Sequence, residues 1–557
     1  MTFRQLCLAC ALPGAALFAS LPAQAAATDI FETIAAPRGV TVTPLEASAT
    51  MHVILTLPLR DEVGARSFAA LVSNPKSALY GHYITPAQFG ERFGADKAAY
   101  ESLRTWAASQ GLTVGERTQS RTTIPLAGTA GQFAAIFGTQ FGKFSTKEHG
   151  AGYVTLVPPR LPAALAGKVD GVVGLSSAAS FAPLYRYDAA RTIPDVGTGK
   201  NGSGYAPADL RTAYDVPTQT NTKATEIVAL FEESGFPQSD VTAYEKAYNI
   251  PSVTVTEVSV NGSGTGTNGA LIEVDLDIDS VIGMNPDVGQ VLVYIDENGS
   301  FSSQLVAAFN KVADDNKATV FSISYGIDEN QQGKPAAKAE NKALVQLQAQ
   351  GITTFASSGD DGAGGREGSG LNAPDPGSQP LLTSVGGTTL TTNASTQAYI
   401  GEVTWNSQDG ATGGGVSEFW KIPKYQKIKG KSVAITNGGS AKKRNVPDIA
   451  ADADYPNSPY SVYCGADGGF IAVGGTSLSS PLWAGWISII NSDRVNAGKA
   501  RVGYLNPVLY PLGNAKTGFH DITSGNNGSP GYTAGPGYDN TTGWGSIDVT
   551  KFEAQLP

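Results

Sequence analysis

Between residues 224 and 390 the chain keeps returning to one pattern, a short and fully apolar run of strand type followed by a longer stretch with helical periodicity. ATEIVAL, QVLVYI, ATVFSISYG and ITTFASSG are the strand-type runs, and SSQLVAAFNKVADDN and PAAKAENKALVQLQAQ are among the helical stretches between them. A strand apolar on both faces is buried on both faces, and strands joined through helices run parallel. The alternation therefore predicts an α/β domain on a doubly wound, mostly parallel sheet. Ligands of such sheets bind beyond the carboxyl ends of the strands. Glycines gather in loops at 261–268, 359–370, 412–415 and 525–545, and functional residues are expected in the loops that follow the strand runs.

The chain before this domain reads differently. From Val53 to about Ser180, strand-type runs (VILTLPL, TTIPLAG, YVTLVPP) mix with helical patterns such as DKAAYESLRTWAASQ, as in a small α+β domain. PLYRYDAARTIPDVGTGKNGSG, residues 183–204, is polar, rich in Gly and Pro, and without periodicity, and it reads as a linker. At the start, Arg4, an apolar run from Leu6 to Leu21, and Ala23, Gln24 and Ala25 have the form of a secretory signal cleaved after Ala25. That run is shorter than the roughly 20 residues a membrane span needs, and no later stretch is long enough. The expected organisation is a signal at 1–25, a front domain at 26–182, a linker at 183–204 and a main domain at 205–557. The product is expected outside the cell or in a periplasm, free of the membrane. Cys7 and Cys10 fall in the signal, so the exported chain keeps only Cys464 and can form no internal disulfide. A net charge of -10 lacks the basic footprint of a nucleic-acid binder. Residues 191–557 hold 24 Lys and Arg against 37 Asp and Glu, and residues 1–190 hold 15 against 12. A mildly basic front piece on an acidic main piece suits an intramolecular partner that is later cut away.

Within the main domain, GGFIAVGGTSLSSPLWAGWISII runs from a strand type through a glycine turn to Ser477 and an apolar helical pattern. Such a turn presents a hydroxyl at a helix N-terminus, where developing negative charge is favoured; a plain N-cap by Ser477 or Ser479 is the alternative. The order GTS-x-S-x-P resembles the nucleophile segment of the subtilisin-like serine peptidases, and that resemblance implies a histidine base that precedes the serine. His52, His82 and His149 all lie in the front piece, and His520 follows Ser477. Carboxylates are the remaining candidates. In GALIEVDLDIDSVIGMNP, a helix would put Glu273 and Asp277 on one face, with Asp275 and Asp279 elsewhere. Two close carboxylates hold a proton into the acid range. A solvated acidic face is the alternative, but the interleaved Val274, Leu276, Ile278, Val281 and Ile282 are too apolar for one. In FASSGDDGAGG, Asp360 follows a buried-strand run directly. As a neutral acid it could donate to an oxyanion, while a surface Gly-Asp turn is the plainer option.

With ALIEVDLD, SSGDDG and GGTSLSSP in this order, the chain resembles the sedolisins, serine-carboxyl peptidases of subtilisin-like fold. The resemblance covers nearly the whole chain. SNPKSALYGHYITPAQFGERFGA is similar to their kumamolisin-type activation propeptide, which implies an α+β, ferredoxin-like prodomain. YAPADLRTAYDVP, SVGGTTL, GGGVSEFW, PKYQ and RNVPDIAADADYP are similar to further family segments. The resemblance implies Ser477 as nucleophile, Glu273 as general base and acid, Asp277 as the acid orienting it, and Asp360 as oxyanion donor. Glu232 stands where the family can extend this proton network; where some members carry a tryptophan, this chain has Tyr325. FHDITSGNNG and AGPGYDNTTGWGS resemble the family's site for one calcium ion. That implies carboxylate ligands Asp521 and Asp539, backbone oxygens of Ile522, Gly535 and Gly537, and His520 beside the ion. Calcium takes about six to eight hard oxygens, and glycine loops can turn carbonyls inward. The implied function is that of a secreted, acid-acting endopeptidase, made as a zymogen whose propeptide aids folding and blocks the cleft. It would act as a monomer on protein and peptide substrates. A neutral peptidase using His520 and a binding protein of the same fold without activity are the alternatives.

Overall fold

The computed structural model describes residues 30–557 apart from 33, 37–38, 147–149, 178–181, 188–195, 219–225 and 367–369. The expected signal segment, His149 and the middle of the linker lie outside the described residues. In the front domain, β1 (Thr50–Thr56) is followed by α1 (Glu62–Val72) and α2 (Lys97–Ser109), then by β2 (Thr113–Val114) and β3 (Thr123–Thr129). α3 (Ala130–Phe137) and β4 (Gly171–Val173) complete it. The antiparallel order is β2-β3-β1-β4, with Ile54 opposite both Pro125 and Val173. This is the split βαβ arrangement of ferredoxin-like domains. Val53 and Leu55 face a core with Tyr100, Leu103, Phe133 and Phe137. Ile54 points the other way and is also buried, because that face of the sheet rests on the main domain.

The main domain contains β5 (Ile227–Glu232), β6 (Val255–Ser259), α4 (Leu271–Met284), β7 (Gln290–Ile295), α5 (Phe301–Asp315) and β8 (Val320–Ile323). It continues with α6 (Lys334–Gln350), β9 (Thr353–Ser357), β10 (Thr383–Thr392), β11 (Tyr399–Thr404), β12 (Ile449–Asp452) and α7 (Thr476–Asn496). The strand order is β6-β7-β5-β8-β9-β10-β11, and β12 also pairs with β10. All pairs are parallel except β10 with β11, so the doubly wound α/β expectation holds. The order reverses between β5 and β8, and the loops leaving those two strands open the crevice where such sheets bind ligands. α4 and α7 cover one face of the sheet, α5 and α6 the other.

The front domain docks on α5 and α6. Phe68, Val72, Phe89 and Phe93 close over Val345 and Ala349, and Lys342 Nζ reaches Leu57 O (2.6 Å) and Asp170 (2.7 Å). Lys311 pairs with Glu116 at 3.6 Å. In both ion pairs the cation comes from the acidic main domain, opposite to the pattern that the charge split implies. Net charge sums a whole surface, whereas a contact is made by the few groups that meet. The linker is not uniformly exposed either. Pro183 is paired with Tyr325 of the main domain, and Leu184 is buried. Among the described residues, no helix is long and apolar enough to cross a membrane.

Candidate active site

Ser477 stands at the second position of α7, after the strand Gly469–Val473 and the pair Gly474-Gly475. Gly475 has φ +103°, and a Cβ there would fall 2.4 Å from Leu184 O and 2.6 Å from Asp360 Oδ2. The turn therefore needs glycine on two counts, backbone conformation and space. Ser477 is fully buried and its hydroxyl donates to Ser324 O at 3.0 Å.

Glu273 and Asp277 lie one turn apart on α4 and are both fully buried. The helix begins where the Asn268 side chain accepts from Ala270 N–H (2.8 Å), and its apolar residues pack into the core shared with α7. Both Asp277 oxygens lie 2.8 Å from the Ser324 hydroxyl. The Glu273 oxygens have no partner within hydrogen-bond geometry, although the Ser477 hydroxyl is close enough to favour the ionised carboxylate. Glu232 ends β5. It accepts from Tyr325 OH at 3.2 Å and faces Asp277. Asp275 and Asp279 point away: Asp279 accepts from Tyr463 N–H at 2.9 Å, and Asp275 lies beside Cys464, which is buried and in no disulfide.

Burial raises the pKa of Glu273 well above the usual carboxylate range, and the Asp277 charge raises it further. Burial does the same to Glu232, again reinforced by Asp277 and Glu273, and to Asp277, partly offset by the Ser324 hydrogen bond. Three carboxyls crowded in one dry site hold fewer than three charges and exchange protons as a unit.

Asp360 follows β9 by three residues. Its Oδ1 accepts from Thr476 N–H (2.8 Å) and Thr476 Oγ1 (2.7 Å), while its buried Oδ2 has no hydrogen-bond partner. Burial pushes its pKa up to about 7, against the pull of the Arg186 guanidinium, whose Nη1 is 3.7 Å from Oδ2. Arg186 also pairs with Asp361 at 2.8 Å. At acidic pH Asp360 is thus a neutral acid with a free O–H to donate.

The structure brings Ser477, Glu273, Asp277, Asp360 and Glu232 to the carboxyl end of the sheet. Residue reasoning missed Ser324, Thr476 and Arg186. Ser324 sits directly after a strand run and Thr476 directly before the serine, positions that are readable; Arg186 lies far away in the linker and had no local signal. His520 does not serve the serine: it stacks on Tyr399, with ring centroids 3.8 Å apart.

The C-terminal loops form a separate cluster. Asp521 accepts from Gly537 N–H (3.0 Å) and pairs with Lys516 at 2.9 Å. Asp539 is fully buried and accepts from Gly535 N–H (3.0 Å), Thr541 N–H (3.0 Å) and Thr542 N–H (2.9 Å). Among the described residues no cationic side chain pairs with Asp539, and burial raises its pKa. A buried carboxylate without a counter-charge, linked through the 535–537 loop to a second carboxylate, offers oxygen-donor chemistry that fits a hard cation such as calcium.

Residues 37–178 match the pro-kumamolisin activation domain, and residues 198–505 match the subtilase family. Sedolisin of Pseudomonas sp. (strain 101) is 31% identical over 92% of this chain and 88% of its own length. Xanthomonalisin of Xanthomonas sp. (strain T-22) is 32% identical over 92% of this chain, which spans 66% of that relative. A solved structure of Pseudomonas sedolisin, a serine-carboxyl proteinase, complexed with two molecules of pseudo-iodotyrostatin, superimposes with a TM-score of 0.57 at 30% identity. It covers 64% of this chain and 98% of its own. The chain belongs to the sedolisin family of serine-carboxyl peptidases and carries the activation domain of a proenzyme.

Proposed function

We propose that this enzyme hydrolyses internal peptide bonds of proteins in acid, through an acyl-enzyme on Ser477. Glu273 takes the hydroxyl proton and returns it to the leaving amine, Asp277 orients Glu273, and Glu232 with Tyr325 extends the proton network. Asp360, as a neutral acid, donates to the oxyanion together with Ser477 N–H. The observation that carries this reading is the burial of Ser477 among four carboxyls, with no imidazole among the groups that perturb them. The sign follows from Asp360. Its neutral form falls tenfold per pH unit above about 7, so activity belongs on the acid side of neutrality.

The secretory signal at 1–25 would send the protein out of the cell or into a periplasm. Residues 26–182 act as folding aid and inhibitor, the linker at 183–204 is the region cut, and residues 205–557 remain as a monomeric enzyme. Asp521, Asp539 and the carbonyls of Ile522, Gly535 and Gly537 hold one calcium ion. When bound, it clamps the C-terminal loops of a chain with no disulfide. The test is casein or haemoglobin cleavage across pH by wild type and Ser477→Ala, with and without a chelator. Activity centred near pH 7, or surviving in Ser477→Ala, would refute the carboxylate mechanism.

A further inference from the structure

Residues 182–187 lie along the cleft as a bound peptide would. Ala182 and Pro183 pair antiparallel with Gly326 and Tyr325. Leu184 N–H donates to Ser324 O at 3.0 Å. Arg186 exchanges two backbone hydrogen bonds with Gly474, at 2.9 and 3.0 Å. An extended segment held by its main chain on both sides of one point is the way proteins align a peptide for recognition. That point is Leu184, whose carbonyl oxygen accepts from Ser477 N–H at 2.8 Å. The same oxygen and Asp360 Oδ2 flank the missing Cβ of Gly475, so the carbonyl sits where the nucleophile's N–H and the free Asp360 oxygen converge.

The side chain is seated as firmly as the carbonyl. Leu184 is 6% exposed, and a Cβ on Gly326 would come within 3.0 Å of its Cδ1. Ile327 and Pro374 line the same side, Asp328 and Arg366 stand across a gap of about 20 Å³ next to Leu184, and that gap is too small for a further side chain.

We propose that the bond between Leu184 and Tyr185 is the first bond this enzyme cuts, within its own chain, and that the Leu184 pocket selects leucine-like aliphatic residues before the scissile bond in other substrates. The inference rests on Ser477 being the nucleophile. Ser477 Oγ adds to the Leu184 carbonyl carbon while its proton passes to Glu273. The bond to Tyr185 nitrogen breaks as that nitrogen receives the proton, and the Leu184 acyl group stays on Ser477 as an ester. Water then adds to the ester, restoring the hydroxyl and leaving a carboxyl group on Leu184.

The experiment is to acidify purified full-length precursor and follow the fragments by intact mass at early times. The first pair is expected to divide between Leu184 and Tyr185, at a fractional rate unchanged by tenfold dilution. Leu184→Gly should slow the cut at this bond at least tenfold, and Leu184→Met should stay near wild type. A synthetic peptide of residues 182–187 given to the mature enzyme provides the same ranking without asking a variant precursor to fold. There, Gly in place of Leu should lower kcat/KM at least tenfold. A first cut elsewhere in the linker, with all cutting lost in Ser477→Ala, overturns the bond assignment and leaves the peptidase reading intact. Cutting that persists in the Ser477→Ala precursor overturns the peptidase reading itself. A fractional rate that rises with concentration overturns cleavage within the chain, and equal cleavage of the Leu and Gly peptides overturns the pocket.

Discussion

Replacing Asp360 with Ala should invert the order of stability between two pH values. The carboxyl is fully buried and its pKa lies at about 7 in the folded protein, against about 4 for an ordinary aspartate. A raised value means that the folded state binds the proton more tightly. The group's full contribution to stability is therefore present below about pH 4 and is lost as pH rises through about 7. That difference corresponds to about 4 kcal/mol of stability lost by wild type between pH 4 and pH 8, which the alanine variant is spared. Against this, the variant leaves the buried Thr476 N–H without its acceptor, a cost of about 1–3 kcal/mol at either pH. The variant is then the weaker protein at pH 4 and the stronger at pH 8, by roughly 2 kcal/mol each way. Denaturant midpoints measured on full-length precursors carrying Ser477→Ala, which prevents self-digestion, provide the assay. If the two midpoints move in parallel from pH 4 to pH 8, Asp360 is not the buried neutral acid described above, and the argument for its role fails with it.

Three further outcomes are expected. Glu273→Gln should lower kcat by about 10²–10⁴ with KM changed only a few-fold, because the amide fills the same space but cannot take the serine proton; steady-state kinetics on a peptide substrate decide it. Arg186→Gln removes the guanidinium that pulls the Asp360 pKa down, so the neutral acid persists to higher pH. The midpoint of precursor self-cleavage should move upward on the pH scale, and an unchanged midpoint would separate Arg186 from Asp360. Calcium at 100 times its dissociation constant should stabilise the protein by about 2.7 kcal/mol. A chelator should lower Tm and added calcium restore it, whereas Asp539→Asn should lose most of that response.

The parts of this molecule legible in its sequence are those set by local pattern. The strand runs of the sheet are apolar end to end because both faces are covered, and α4 is identifiable because four residues return a side chain to the same face. The pairing of Glu273 with Asp277 therefore follows from their spacing alone. Asp360 was placed by following a strand run to its end. What stayed illegible depends on segments meeting from far apart. Ser324 serves Asp277 only because β8 lies beside β5. The Tyr325 hydroxyl reaches Glu232 from just past the end of a neighbouring strand, a contact that composition does not reveal. The linker looked like a plain spacer because pairing with a cleft leaves no periodicity in six residues. The charge split misjudged the domain contact for a related reason, since Lys342 and Lys311 act where they touch, whatever the total around them.

The seating of Leu184 against Gly326, Ile327 and Pro374 ties two properties that an engineer would treat separately. The tether between the domains is also the first molecule that each newly made enzyme must accept. A variant whose pocket is rebuilt to refuse leucine would remain locked as its own uncut precursor. A screen for new specificity would then score it as dead even if its chemistry were intact. Altering the pocket and residue 184 together, or placing an independent cut in the linker, would release such variants. The linker sequence thus records what the enzyme accepts, written into the same chain.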